Sequence, residues 1–390
     1  MNYDYLIVGG GMTADAAARA IRAEDAKGTI GLVGAESDPP YNRPPLTKGL
    51  WKGDAPDSIW RKTADIGADL HLGRRVQSID RRQHGVKDDR GGSYRYRKLL
   101  LATGGEPRRL PDAPAEVIYY RTLEDYRKVR SLASDRREFA VLGGGFIGTE
   151  IAAALRMQSA EVTMVVPEEG LGSRLFPKDL AHFLVDFYRE KGVRVEVGHA
   201  AKRIGKRDQR FTLQLGTHDI GSDAVIAGLG IIPNVELAKA AGLATDNGIQ
   251  VDELLCTGDP DIYAAGDVAN FLNPSLEKRL RVEHEDNANT MGAAAGRNMT
   301  GASQPYHHLP FFYSDLFDLG YEAVGELDSR LETLADWKTP FREGVIYYLQ
   351  AGRVRGVLLW NTWGQVDAAR ALIAERGPFT KTNLTGRLPA

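Results

Sequence analysis

The chain has 390 residues, 43% of them hydrophobic, and a formal net charge of −2. This length predicts two or three domains, and the small net charge argues against nucleic acid as a partner. The single cysteine, Cys256, excludes a disulfide framework, a cysteine-ligated zinc site and an intramolecular redox disulfide. No apolar run reaches transmembrane length, and the N-terminal stretch lacks a signal-type basic region. We therefore expect no membrane span, no metal site and a location in the reducing cytoplasm.

The chain opens with the pattern of a dinucleotide-binding βαβ unit. In order, the pattern contains apolar residues 5–8, Gly9-x-Gly11-x-x-Ala14, helix-like residues 14–24, apolar residues 30–33 and Glu36. The first glycine allows a tight turn, the second lets a pyrophosphate reach the backbone, and the small third residue lets the helix pack on the strand. Phosphate then meets the helix N-terminus, and Glu36 is placed to accept hydrogen bonds from a ribose diol. With strand, helix and acid all present, the pattern favours a dinucleotide site over an ordinary turn.

The same pattern returns in the second quarter of the chain. It contains apolar residues 139–142, Gly143-x-Gly145-x-x-Gly148, helix-like residues 148–157, apolar residues 162–166 and Glu168 as the candidate ribose acid. Two copies of one unit predict two related domains and two dinucleotides. The economical pairing is a flavin dinucleotide that stays bound and a nicotinamide dinucleotide that visits. A protein with two NAD sites is the alternative.

Other glycine turns follow short apolar runs. Residues 99–102 precede Thr103-Gly104, residues 224–227 precede Gly228-Leu229-Gly230, and residues 262–265 precede Gly266-Asp267. Asp267 is placed either to bind the hydroxyls of a flexible sugar chain or to cap a helix. Beyond Pro305, alternating residues 345–349 and 354–360 predict an antiparallel sheet, and residues 366–375 predict a helix.

Together these motifs resemble the flavoprotein superfamily that includes the ferredoxin reductases and the pyridine nucleotide-disulfide oxidoreductases. Within it, the chain is most similar to apoptosis-inducing factor and its bacterial homologues. The stretches around Glu168, His284 and Tyr321 are the most specific to that branch. The resemblance covers nearly the whole chain and rests on both fingerprints and on residues 40–48, 102–104, 167–170, 266–267, 281–284, 298–301, 320–323 and 359–361. The targeting segment and long C-terminal insert of the mammalian members are not expected here, which favours a bacterial-type cytoplasmic enzyme.

The resemblance implies an α/β fold with two Rossmann-like domains, one for FAD and one for NADH, and a small α+β C-terminal domain. The expected FAD domain uses residues 1–110 and 250–302, because Gly266-Asp267 must return to the flavin. Residues 111–249 would form the NADH domain and residues 303–390 the C-terminal domain. The disulfide reductases of the superfamily need a cysteine pair, so their activity is excluded.

The resemblance also implies roles for individual residues. Four are implied in catalysis: Lys48, which pairs with Glu150 near the reactive flavin nitrogen, and Phe146 with His284, which flank the nicotinamide. His284 would stand where ferredoxin reductases usually carry tryptophan. The simpler interpretations are core packing for Phe146, a surface position for His284 and a solvated Lys48. The implied cofactor-binding residues are Gly9, Gly11, Ala14, Glu36, Arg43, Lys48, Ala102, Thr103, Gly104, Gly145, Gly148, Glu168, Gly230, Asp267, Glu283 and His284.

The implied activity is hydride transfer from NADH to the flavin, followed by a long-lived charge-transfer complex of reduced flavin with NAD⁺. Electrons would then pass to an acceptor that the sequence does not identify, such as a quinone, oxygen or a small redox protein. Glu168 predicts a preference for NADH over NADPH, with Arg174 acting against it. Two alternatives stay open: a ferredoxin or rubredoxin reductase, and an NADH-responsive redox-sensing binding protein. A homodimer also stays open.

Overall fold

The computed structural model describes residues 1–135 and 137–389, which form two compact units. The first unit comprises Met1–Arg43, Pro56–Glu106 and Ile232–Pro310. The second comprises Pro44–Ala55, Pro107–Ile231 and Phe311–Ala390. The predicted fold class is confirmed, with two Rossmann-type sheets and a C-terminal sheet. The finer domain boundaries at residues 110, 249 and 302 stay a prediction.

The elements are numbered here in chain order. The strands are β1 (Asn2–Val8), β2 (Ile30–Val33), β3 (Ala68–His71), β4 (Val76–Asp80), β5 (Gly85–Asp88), β6 (Ser93–Leu101), β7 (Gly105–Pro107), β8 (Ile118–Tyr119), β9 (Glu138–Leu142), β10 (Glu161–Val166), β11 (Arg194–Val197), β12 (Arg203–Arg207), β13 (Arg210–Gln214), β14 (Asp219–Ser222), β15 (Ala224–Ala227), β16 (Ile231–Pro233), β17 (Thr245–Asp246), β18 (Gly248–Gln250), β19 (Ile262–Ala264), β20 (Ala269–Asn273), β21 (Lys278–Leu280), β22 (Phe311–Leu316), β23 (Leu319–Gly325), β24 (Glu332–Thr339), β25 (Glu343–Gln350) and β26 (Arg353–Trp360). The α-helices are α1 (Met12–Glu24), α2 (Gly49–Lys52), α3 (Leu123–Ala133), α4 (Phe146–Met157), α5 (Lys178–Glu190), α6 (Glu236–Ala240), α7 (Glu285–Met299), α8 (Val366–Ala374) and α9 (Lys381–Leu384).

The first unit is built on a sheet in the order β3-β2-β1-β6-β5-β4, with β19 also paired to β6. The strands β3, β2, β1, β6 and β19 run parallel, whereas β5 runs antiparallel to both of its neighbours, β6 and β4. Val8 of β1 is in register with Val33 of β2 and Leu101 of β6, and Leu101 with Ala264 of β19. These strands therefore end at one edge, where the loops after them meet, as open parallel sheets place their ligand crevices.

Two helices of the first unit, α1 and α7, pack unusually closely because small residues face each other. A Cβ on Gly292 would lie 2.5 Å from the Thr13 carbonyl oxygen. A Cβ on Gly296 would overlap the carbonyl oxygen of Ala17. Larger side chains at either glycine would push the helices apart. This close packing fixes the N-terminus of α7 relative to the first glycine turn.

The second unit contains a parallel sheet in the order β11-β10-β9-β15-β8 and a small antiparallel sheet, β12-β13-β14. It also contains the C-terminal antiparallel sheet, β22-β23-β26-β25-β24. The ring of Trp360 stacks on Tyr321 in the core of this sheet, with 5.7 Å between centroids. The predicted strands at 345–349 and 354–360 are confirmed as β25 and β26, and the predicted helix at 366–375 as α8.

Two features are absent from the described residues, 1–135 and 137–389. None of their helices is long and apolar enough to cross a membrane. None of their groups of three or more His, Cys, Asp or Glu side chains is arranged to hold a metal ion.

Candidate functional site

The first glycine turn leaves open space in front of helix α1. Gly9 has a φ of +139°, and a Cβ there would overlap the Ala102 carbonyl oxygen, so only glycine fits. Gly11 caps α1 without a side-chain hydrogen bond, and a Cβ on it would meet no atom within 4 Å. Ala14, the third fingerprint residue, is fully buried against the strand. Free N–H groups facing open space fit the pyrophosphate of a dinucleotide.

The second glycine turn has the same construction. Gly143 has a φ of +101°, and a Cβ on it would lie 2.5 Å from the carbonyl oxygen of Gly228. Gly145 caps α4 with no side-chain hydrogen bond and with open space where its Cβ would stand. Gly148 must lack a side chain, because a Cβ would overlap the Gly143 carbonyl. This turn therefore fits a second dinucleotide.

Glu36 lies three residues beyond β2 and already has hydrogen-bond donors. The Tyr41 hydroxyl donates to it at 2.7 Å, and the Arg43 guanidinium forms an ion pair with it. Burial opposes the charge of Arg43, but Tyr41 and the carboxylates of Glu36 and Asp267 hold its pKa above the ordinary value. The structure thus brings Glu36, Arg43 and Asp267 together at the edge where β1, β2 and β19 end.

Glu168, the second candidate ribose acid, follows β10 by two residues. The Arg174 guanidinium lies 3.1 Å from its carboxylate, and the Arg174 side chain is 88% exposed. An ion pair this exposed is weak and exchanges readily with solvent or ligand. Glu168 and Arg174, which were expected to have opposite effects on the choice between NADH and NADPH, are thus in direct contact.

Backbone contacts hold the remaining loops of the first sheet. The Thr103 hydroxyl donates to the Asn234 carbonyl at 2.9 Å, and the Asn234 amide donates back to the Thr103 carbonyl at 2.8 Å. Gly104 accepts from the Asn234 backbone N–H at 3.0 Å. Asn234 lies in a Pro-Asn turn, and this sequence pattern did not predict its hydrogen bonds to Thr103. Asp267 stands in a short 3₁₀ turn directly after β19, where the positive φ of Gly266, +78°, requires glycine.

In the second unit, Gly230 occupies a comparable left-handed position. Its φ is +82°, and its carbonyl accepts from the backbone N–H of Arg108 at 2.9 Å. Phe146, the first residue of α4, makes an edge-to-face contact with Phe312 at 5.2 Å between centroids. This contact with the C-terminal sheet agrees with the simpler packing interpretation of Phe146, and its catalytic role stays a prediction.

The predicted ion pair between Lys48 and Glu150 is confirmed. The Lys48 ammonium lies 2.6 Å from the Glu150 carboxylate, whose side chain is only 4% exposed. The backbone before Lys48 is fixed by a 3₁₀ turn at Pro44–Leu46, in which the Pro45 carbonyl accepts from the Lys48 N–H. Two hydroxyls that the sequence analysis missed also donate to Glu150, from Thr47 at 2.5 Å and from Ser314 at 2.6 Å.

His284 caps α7 and directly follows Glu283. Burial lowers its pKa to about 4, although the charges of Asp267 and Asp286 act in the opposite direction. The imidazole is therefore neutral at neutral pH. Glu283 is held by Arg281 at 2.6 Å, a contact that the sequence motif did not predict. The His284 side chain is only partly buried, and its place beside the nicotinamide stays a prediction.

These features define a protein with two dinucleotide-binding sheets, each with an open glycine turn and an acid beyond the second strand. A family model for the pyridine nucleotide-disulphide oxidoreductases matches residues 3–292, and a model for the C-terminal domain of mitochondrion-associated apoptosis-inducing factor matches residues 295–340. The chain belongs to the pyridine nucleotide-disulphide oxidoreductase family. It is an NADH-dependent flavoprotein oxidoreductase that uses FAD and NAD(H), as predicted.

The relatives of this chain include apoptosis-inducing factors and ferredoxin reductases. Apoptosis-inducing factor 1, mitochondrial, of Dictyostelium discoideum is 34% identical over 98% of this chain and 80% of the relative. The ferredoxin–NAD(+) reductase component of the anthranilate 1,2-dioxygenase system of Burkholderia cepacia is 35% identical over 95% of this chain and 94% of the relative. The crystal structure of the covalent putidaredoxin reductase–putidaredoxin complex has a TM-score of 0.90 at 30% identity, covering 97% of this chain and 95% of that one.

Proposed function

We propose that the chain oxidises NADH in the manner of apoptosis-inducing factor, keeping NAD⁺ on the reduced flavin long enough to slow its reoxidation. FAD, when bound, accepts the hydride of NADH and passes electrons to a further acceptor. The family establishes the general NADH–flavin chemistry. The slow release of product and the identity of the acceptor are our proposals.

The observation that carries this proposal is the state of His284. A partly buried imidazole with a pKa of about 4 is neutral, aromatic and able both to stack and to hydrogen-bond. Such a side chain suits a nicotinamide ring, because a charged imidazolium would repel the positive ring of NAD⁺. We assign His284 to stacking against the nicotinamide, as the resemblance implies.

The remaining site residues receive the roles that the resemblance implies. In the first unit, Gly9, Gly11 and Glu36 would hold the adenosine diphosphate part of FAD, and Asp267 the ribityl chain. The N–H groups of α7 after Glu283 would favour negative charge on the pyrimidine side. These assignments rest on the open turns and on acceptors placed at the sheet edge.

In the second unit, Gly145 and Gly148 would receive the pyrophosphate of NADH and Glu168 its ribose. Lys48, held by Glu150, would supply a fixed positive charge beside the reactive flavin nitrogen, and Phe146 would lie by the reactive face. A preorganised ammonium in a site of low water content stabilises developing negative charge more than a mobile one does.

A second candidate is a reductase that passes electrons to a small iron–sulfur protein. Similarity to two such reductases, a ferredoxin–NAD(+) reductase and putidaredoxin reductase, favours it. In this case the electron acceptor is a protein, and fast reoxidation requires its presence.

Anaerobic reduction with NADH, followed by exposure to oxygen, tests the proposal. We expect a broad long-wavelength band, characteristic of stacked donor and acceptor rings, and slow reoxidation in air. His284→Ala should weaken the band and speed reoxidation while FAD is retained. A wild-type protein with no such band that reoxidises as fast as a simple flavin oxidase would refute the proposal. Rapid turnover only with a small iron–sulfur protein would support the second candidate instead.

A further inference from the structure

Glu150 is the centre of a buried polar network in the second unit. One carboxylate oxygen, Oε1, lies 2.6 Å from both Lys48 Nζ and Ser314 Oγ. The other oxygen, Oε2, accepts from Thr47 Oγ1 at 2.5 Å. Ser314 is fully buried and Thr47 is 7% exposed, so neither hydroxyl is readily replaced by water.

Two tyrosines close to this network, Tyr188 and Tyr321, are neutral. Burial and the charge of Glu150 raise the pKa of Tyr188 and of Tyr321 well above the ordinary value, so both phenols stay protonated. The ring of Tyr313 lies under the Lys48 ammonium, 5.2 Å from it. A carboxylate in such an environment needs every oxygen satisfied, because an unpaired buried charge is costly.

The two hydroxyls come from different parts of the chain. Thr47 directly precedes Lys48, and its hydroxyl also lies 3.3 Å from the Pro44 carbonyl oxygen. Ser314 lies on β22, the first strand of the C-terminal sheet, 164 residues from Glu150. Two hydroxyl donors therefore fix the orientation of the carboxylate. The fixed carboxylate in turn determines the position of the Lys48 ammonium that pairs with it.

From this geometry we infer that Ser314 and Thr47 are positioning residues for flavin reduction, acting through Glu150 on Lys48. The C-terminal sheet would thereby contribute to the reaction through Ser314. The inference rests on the proposed role of Lys48 in tuning the flavin. Without the two donors the carboxylate can rotate, and the ammonium loses its single preferred position.

The experiment measures the rate of flavin reduction by NADH and the flavin midpoint potential in full-length, FAD-loaded protein. Ser314→Ala and Thr47→Val should each slow reduction about tenfold, the equivalent of one hydrogen bond to a charged group. Both should shift the midpoint potential in the same direction as Lys48→Ala. Thr47→Ser, which keeps the hydroxyl, should be slowed much less than Thr47→Val.

Ser222→Ala is the matched control. Ser222 is also buried in the second unit, on β14, and its hydroxyl has no hydrogen-bond partner among the residues that the structure describes. Its loss should leave both readouts unchanged, which separates a general packing effect from positioning. FAD content and melting temperature are recorded for every variant.

The double variant Lys48→Ala/Ser314→Ala decides whether Ser314 acts through Lys48. Reduction no slower than in Lys48→Ala alone would support the inference, and a full further tenfold loss would overturn it. Wild-type rates and potentials in both Ser314→Ala and Thr47→Val would also overturn it, while leaving the role of Lys48 intact. If Lys48→Ala itself changes neither rate nor potential, the proposed role of Lys48 fails instead.

Discussion

Removing Lys48 alone should destabilise the second unit more than removing its charge together with that of Glu150. Lys48→Met deletes the ammonium and leaves a carboxylate that is 4% exposed with only hydroxyl donors. Breaking a buried ion pair on one side costs about 3–5 kcal/mol, and the two remaining donors favour the lower value. At about 2–4 °C per kcal/mol, the melting temperature should fall by roughly 6–12 °C.

The double variant Lys48→Met/Glu150→Gln should recover most of this loss. The glutamine carbonyl can still accept a hydrogen bond from Ser314 or Thr47, and no buried charge remains. We expect a cost of about 1 kcal/mol, or roughly 2–4 °C. Thermal unfolding of FAD-saturated protein at pH 7, followed by circular dichroism, measures both variants. A double variant that melts at or below the temperature of Lys48→Met would show that an unpaired Glu150 charge is not the cause of the destabilisation.

Three further results are expected. Gly11→Ala should fold normally but bind FAD weakly, because its Cβ would enter the open space before α1. Gly9→Ala should fold poorly, because its Cβ would overlap the Ala102 carbonyl. The FAD content of each variant is measured by heat release and chromatography. NADH should reduce the flavin faster than NADPH, since Glu168 repels a 2′-phosphate, and equal stopped-flow rates would contradict this. The free energy of unfolding should decline as the pH falls from about 6.5 towards about 4. The pKa of His284 is about 4 in the folded chain, so the unfolded chain takes up the proton first. In pH-dependent melting curves, His284→Asn should weaken this decline.

Local patterns in the sequence predicted the supersecondary units well. Strand β2 was expected at residues 30–33 and β15 at 224–227, and both have those bounds. Apolar runs of four to six residues that end in glycine predict a strand followed by a turn, because both depend on residues adjacent in the sequence. Glu36 was expected at the end of the second strand but lies three residues beyond it, since such an edge is set by tertiary contacts.

The contacts that complete the site were out of reach of sequence patterns. Ser314 lies on the buried face of β22 between Phe312 and Leu316, and no local pattern marks it as a donor to a distant carboxylate. Its partner Glu150 is 164 residues away on a helix, and no periodicity connects the two. Asn234 and Arg281 likewise act on backbone or side chains of other loops. Long-range polar pairs of this kind depend on the packing of whole elements, which local propensity does not encode.

The two glycine caps show how the chain combines foldability with ligand binding. Helix α3 begins with a capping box, in which Thr122 and Asp125 satisfy each other's backbone N–H groups. Helices α1 and α4 begin instead with Gly11 and Gly145, which offer no side-chain acceptor. A glycine cap sacrifices only a few tenths of a kcal/mol relative to serine or aspartate, so folding loses little. In return the helix N-terminus keeps its N–H groups and its partial positive charge free in open space. The side-chain acceptor that caps α3 is therefore absent at the two helix starts where we propose that a phosphate approaches.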